Sequence, residues 1–208
     1  MSGYIEYGDT CFVTAVGGRS VPPPISRKAA SRYDTKVIEG TATKYNSVLF
    51  HDGKFKVVTP GAFDLSMKYA PVEMWIDHDK SLRLGDARTN LDLYSDDFGL
   101  HFRLRLDNTE LSSHARALVE SKAYTQCSIG YDQGKTETRE VEGHSVLYIL
   151  QARLEEISVV PAGAVKATHA QVNDIENCRS LEHDCKSLKF LCDNSFAELQ
   201  RALRRAAS

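Results

Sequence analysis

Eight residues constrain the fold more than any others: Gly99-Leu-His-Phe-Arg-Leu-Arg-Leu106 alternates apolar and polar side chains without a break. Successive side chains of a strand point to opposite faces, so Leu100, Phe102, Leu104 and Leu106 belong together, with His101, Arg103 and Arg105 turned away from them. The pattern predicts a half-buried antiparallel strand with its polar face, His101 included, outward. Such a strand needs partners, and the chain offers several. Lys36-Val-Ile-Glu-Gly-Thr-Ala-Thr43, Val72-Glu-Met-Trp-Ile76, Val146-Leu-Tyr-Ile-Leu150 and Leu154 to Val160 all read as strands, as does the stretch around Ser128. Pro60-Gly-Ala-Phe63 and Pro161-Ala-Gly163 read as turns, and the polar run from Gly134 to Gly143 suits a hairpin loop.

Helical spacing enters twice. Leu111, Ala115, Leu118 and Val119 fall on one helix face, with Asn108 or Thr109 available as N-cap. From residue 171 to 208 a second amphipathic helix is expected, because Cys178, Leu181, Cys185, Leu188, Cys192 and Leu199 recur in steps of three and four. Arg201, Arg204 and Arg205 suit its C-terminal end. Residues 1 to 35 read as an arm, because Gly17-Gly18 and Val21-Pro-Pro-Pro24 interrupt any regular element. The chain is thus expected to be α+β and β-rich, with a body over residues 36 to 170 and a helical tail for docking on the body, on itself or on a partner.

Several functional classes are disfavoured. A net charge of -2 lacks the basic bias of a nucleic-acid binder. No apolar run approaches the roughly 20 residues of a membrane span. Met1-Ser-Gly-Tyr-Ile-Glu-Tyr-Gly-Asp9 lacks the basic start and apolar core of a signal peptide, which favours an intracellular setting. Five cysteines with no Cys-x-x-Cys pair favour free thiols, and the seven-residue spacing of Cys178, Cys185 and Cys192 is too long for one zinc ion. No metal or cofactor is expected.

The residues with chemistry to offer are a hydroxyl, an imidazole and a carboxylate. Ser128 sits in Tyr124-Thr-Gln-Cys-Ser-Ile-Gly-Tyr131, with Gly130 allowing close approach. Taken alone it reads more readily as a small strand residue, since Ser-x-Gly is common and this is not the Gly-x-Ser-x-Gly elbow. A serine nucleophile needs a base. Among seven histidines, His78 stands out because it follows an apolar strand and lies between Asp77 and Asp79, which would favour its protonated form. A solvated Asp-His-Asp turn is the plain alternative. Glu155 and Glu156 interrupt an apolar strand. Simple alternation puts Glu156 with Leu154, Ser158 and Val160, and Glu155 with Arg153 and Ile157. Arg153 can satisfy Glu155, which leaves Glu156 in need of an inward partner. Cys127 is a rival nucleophile, but it should face away from Ser128.

In this order, Gly40-Thr-Ala-Thr-Lys-Tyr-Asn46, Pro60-Gly-Ala-Phe63, Asp77-His-Asp79 with Leu84-Gly85, Gly99-Leu100, the helix ending near Val119, Ser128-Ile-Gly-Tyr131 and Leu154-Glu-Glu-Ile-Ser-Val-Val-Pro-Ala162 resemble the prohead (capsid maturation) serine proteases of tailed bacteriophages. That family is distantly similar to the herpesvirus assemblin proteases. The resemblance implies an assemblin-like β-barrel flanked by helices, with Ser128 as nucleophile, His78 as general base and Glu156 as third member. It implies a serine endopeptidase that acts without metal or cofactor inside the assembling prohead, in the cytoplasm of the bacterial host. Scaffold protein and the scaffolding segment of the major capsid protein would be its substrates, and the enzyme itself a further one. Homo-oligomers are compatible with this reading; nucleic acid and membrane are not implied as partners. The oxyanion hole would fall to backbone N–H groups near Ser128 or to a held water. Two other readings stand beside it: a non-catalytic capsid-assembly or scaffolding module with a degenerate protease fold, and a cysteine hydrolase using Cys127.

Overall fold

The computed structural model describes residues 33–51, 53–163, 165 and 168–178. Most of the expected arm, and the helical repeat from residue 179 onward, lie outside them. Twelve strands are described, along with two helices and two short 3₁₀ turns. The strands are β1 (Tyr33–Lys44), β2 (Val48–His51), β3 (Lys54–Val58), β4 (Glu73–Ile76), β5 (Gly85–Asp86), β6 (Leu91–Ser95), β7 (Gly99–Asp107), β8 (Gln126–Gln133), β9 (Thr136–Val141), β10 (His144–Ile149), β11 (Ala152–Val160) and β12 (His169–Asp174). The helices are α1 (Asp64–Tyr69) and α2 (Glu110–Glu120). The α+β, β-rich class therefore holds.

The strands form three four-stranded sheets, ordered β12-β1-β7-β6, β2-β3-β10-β9 and β5-β4-β11-β8. The first is wholly antiparallel, while the other two each contain one parallel pair, β3–β10 and β4–β11. No closed barrel is drawn by the hydrogen bonds among the described residues. β1 changes register between Thr41 and Thr43, and the seam between β12 and β8 is carried by the Ala170 N–H donating to the Thr125 carbonyl at 3.0 Å rather than by a ladder. The sheets nonetheless share one apolar interior. Phe63 of the 60–63 turn, Met74 of β4, Leu100, Phe102 and Leu104 of β7, and Ile157 of β11 are all fully buried within it. Burying each such side chain contributes roughly 1.5–3 kcal/mol.

The alternating strand β7 is buried on both sides. His101 and Arg103 are buried, so the expected outward polar face is corrected. Burial there is tolerated because most of the polar groups find partners, His101 Nε2 having an acidic neighbour but no hydrogen bond. Arg103 pairs with Glu39 of β1 at 2.6 Å, and His101 Nδ1 lies 3.1 Å from Thr41 Oγ1, with Asp96 at 3.5 Å from its other nitrogen. The 134–143 loop is also corrected. Thr136 to Val141 is a strand paired with β10, and the hairpin turns at Glu142-Gly143, both at positive φ. α2 begins as its sequence predicts, with the Thr109 hydroxyl accepting from the Ser112 N–H at 3.2 Å. β12 runs on to Asp174 and pairs with β1, and a 3₁₀ turn follows over Ile175–Asn177, so the helix expected from residue 171 does not begin there.

Candidate active site

The third sheet gathers the chemistry. β11 lies between β4 and β8, and from Glu156 onward it is buried on both faces. In its ladder with β8, Ser158 stands opposite Ser128, and Glu156 opposite Gly130. Paired residues of an antiparallel ladder project to the same face. Ser128, Gly130, Glu156 and Ser158 therefore share one face, while Cys127, Ile129 and Tyr131 turn to the other.

A bulge sets this phase. Between Leu154 and Glu156, β11 takes two steps while β8 takes one, from Tyr131 to Gly130, which makes Glu155 the extra residue. The Ser66 hydroxyl of α1 fixes the start of the bulge, accepting from the Leu154 N–H at 2.8 Å. Leu154 thus joins the core with Ile157 and Val159, and Glu156 goes with Ser158. The simple alternation that grouped Glu156 with Leu154 is corrected accordingly. Glu155 is solvent-facing and paired with Arg153, as its neighbours suggested.

Gly130 is required by what lies over it. A Cβ there would meet Glu156 Oε1 at 2.5 Å and its Cγ at 3.1 Å. The absence of a side chain is what lets the carboxylate lie down across β8 and reach the next element.

That element is the turn after β4. Asp77 and His78 have φ of 52° and 60°, and the Asp79 N–H donates to the Ile76 carbonyl at 2.9 Å. Two successive left-handed residues mark a type I′ turn; Asp and His tolerate that region better than most side chains. The turn doubles back over β11, and the His78 Nδ1–H donates to Glu156 Oε1 at 2.7 Å. A carboxylate only accepts, so Nδ1 carries the proton of this bond, and in the neutral ring that tautomer has its lone pair on Nε2. The flanking acids are used elsewhere. Tyr124 donates to Asp77, and Asp79 accepts from the N–H and hydroxyl of Ser81 at 2.8 and 2.7 Å. Those Ser81 bonds hold the Asp79 carboxyl below its usual range, and the bond to Asp77 raises the Tyr124 hydroxyl.

Glu156 is 4 % exposed, whereas the His78 ring is 47 % exposed. A buried carboxylate needs both oxygens satisfied. Oε1 has His78 and Oε2 has the Ser158 hydroxyl, which donates at 2.7 Å. Ser158 was missed by the sequence reading as a member of the site. A lone hydroxyl in Ile157-Ser-Val-Val160 was the available signal. His78 and Glu156, expected together, are in contact; Ser128 shares their sheet face, and no hydrogen bond joins it to His78 among the described residues. Cys127 is fully buried on the other face, its Sγ 3.6 Å from the His169 carbonyl, and burial pushes its thiol far above the usual range. A small cleft borders the Cys127, Ile129 and Tyr131 side of β8, with Thr43, Lys44, Lys56 and Ser128 also in its lining.

A hydroxyl, a half-exposed imidazole and a buried carboxylate on one sheet face are parts that acyl transfer uses. No cluster that could hold a metal ion occurs among the described residues. Residues 24–183 match the family model of the caudovirus prohead serine proteases, and the chain belongs to that family. Phage capsid maturation by a serine protease is therefore the setting in which the site is to be understood. No curated protein sequence matches the chain.

Proposed function

We propose that the chain is the serine endopeptidase that cleaves the scaffold protein, and the scaffolding segment of the major capsid protein, inside the immature phage shell. The observation that carries this most is the shared sheet face. Ser128 projects from β8 on the side where His78 and Glu156 are bonded. His78 Nε2 takes the Ser128 proton as the hydroxyl attacks the scissile carbonyl, then returns it to the leaving amine; Glu156 fixes the tautomer and orientation of the ring. The Ser128–His78 bond closes in the substrate complex, as catalytic hydrogen bonds commonly do. The enzyme processes its own chain by the same chemistry.

Ser128→Ala tests the assignment on co-expression with scaffold and capsid protein. Cleavage should fall by on the order of 10⁴-fold or more. Cys127→Ala should leave cleavage in place. Continued processing by Ser128→Ala, or its loss only in Cys127→Ala, would overturn the serine mechanism; no processing by the unaltered chain would favour a non-catalytic assembly module.

A further inference from the structure

We infer that Ser158 is a positioning residue of this site, its buried hydroxyl holding His78 at two points at once. The inference rests on His78 acting as the base. Ser158 is fully buried in the middle of an otherwise apolar run, where a hydroxyl is costly unless its hydrogen-bonding capacity is used. It is used on both sides. A serine hydroxyl has one proton and two lone pairs. The proton goes to Glu156 Oε2 at 2.7 Å, because the carboxylate can only accept. A lone pair takes the main-chain N–H of His78 at 3.1 Å.

The result is a closed ring of hydrogen bonds. From the His78 N–H it runs to Ser158 Oγ, on to Glu156 Oε2, across the carboxylate to Oε1, and back to His78 Nδ1. Main chain and side chain of one histidine are thereby referred to the same strand. This matters because His78 sits at φ 60° in a turn that must be held from outside. The Asp77 N–H, donating to the Val159 carbonyl at 3.1 Å, anchors the first turn residue, and Ser158 anchors the second. Without the hydroxyl, the His78 N–H loses its acceptor and Glu156 loses the bond that stops its carboxylate from rotating. The imidazole is then free to move by the fraction of an ångström that costs catalysis most.

Two variants of the full chain test this, Ser158→Ala and Ser158→Cys; the second keeps the shape with a much weaker donor. Each is assayed on a scaffold-derived peptide, and the His78 Nδ1–H proton is followed by NMR. The expected result is a loss of kcat of about 10- to 100-fold, the scale of a small misplacement of a catalytic group, with KM little changed. The Nδ1–H resonance should broaden or shift in both. Should Ser158→Ala not fold, Ser158→Cys alone decides between the outcomes. A folded variant with wild-type kcat and an unmoved resonance overturns the inference. The resonance reads the His78–Glu156 bond without any cleavage, so a failure of the protease assignment would show separately, as an unaltered chain that keeps the resonance and cleaves nothing.

Discussion

A methyl group at position 130 would stand 2.5 Å from Glu156 Oε1, far inside van der Waals contact, so Gly130→Ala pushes on the carboxylate that holds His78. Gly130 lies on an outer strand of its sheet and has ordinary strand φ, so the fold should survive. The expected effect is a loss of kcat on the order of 10²-fold with a cooperative melt retained. A Gly130→Ala enzyme with wild-type kcat would mean that Glu156 does not need its observed position. At this scale the sequence was readable in part. Ser128, His78 and Glu156 are candidates by residue type and setting; alternation puts Cys127 and Ser128 on opposite faces, and the family resemblance is what favours the serine. Glu156 was singled out on a phase that the bulge at Glu155 reverses, so the carboxylate that bonds His78 was reached through an incomplete rule. The tie between Ser158 and His78 was not readable, because it spans 80 residues and depends on a left-handed turn.

At the scale of elements, β7 shows how a clean alternation can mislead about exposure. The polar residues alternate as expected, but they face buried partners instead of water. Arg103 and Glu39 are both largely buried, at 7 % and 13 % exposure, and Asn173 of β12 also donates to Glu39. Removing one member of a buried pair strands the other charge, which typically costs about 3–5 kcal/mol. Arg103→Met is therefore expected to destabilise by that amount in chemical denaturation, and a change under about 1 kcal/mol would mean the pair is effectively solvated. β9 failed for the opposite reason. Its residues are exposed almost throughout, so no apolar face existed to betray a strand. Arg139 of β9 nevertheless lies over the Tyr148 ring of β10 at 4.4 Å, a contact that only pairing makes visible.

For the whole molecule, fold class and the main strands were legible because they follow local periodicity. Barrel closure was not, since it depends on register and stagger between distant strands. The observed seams are narrow, and β12 holds one of them. It pairs with β1 over six residues, from Lys36–Asp174 to Thr41–His169, and the Lys36 ammonium meets Asp174 at 2.7 Å. Ala170 is buried, and its N–H reaches Thr125 just ahead of the strand that carries Ser128. The preceding Thr168 hydroxyl accepts from the Cys127 N–H and donates to the Cys127 carbonyl, at 3.1 and 3.0 Å. Shortening the chain therefore has a threshold. Ending it after Cys178 keeps every one of these contacts, and a cooperative melt is expected. Ending it after Thr168 removes the β12 ladder, uncovers β1 and frees the approach to β8. Loss of the cooperative transition is expected there, along with loss of peptide cleavage. Thermal melts of the two lengths side by side make the comparison, and equal melting temperatures would show that β12 is an ornament on the sheet instead of a part of it.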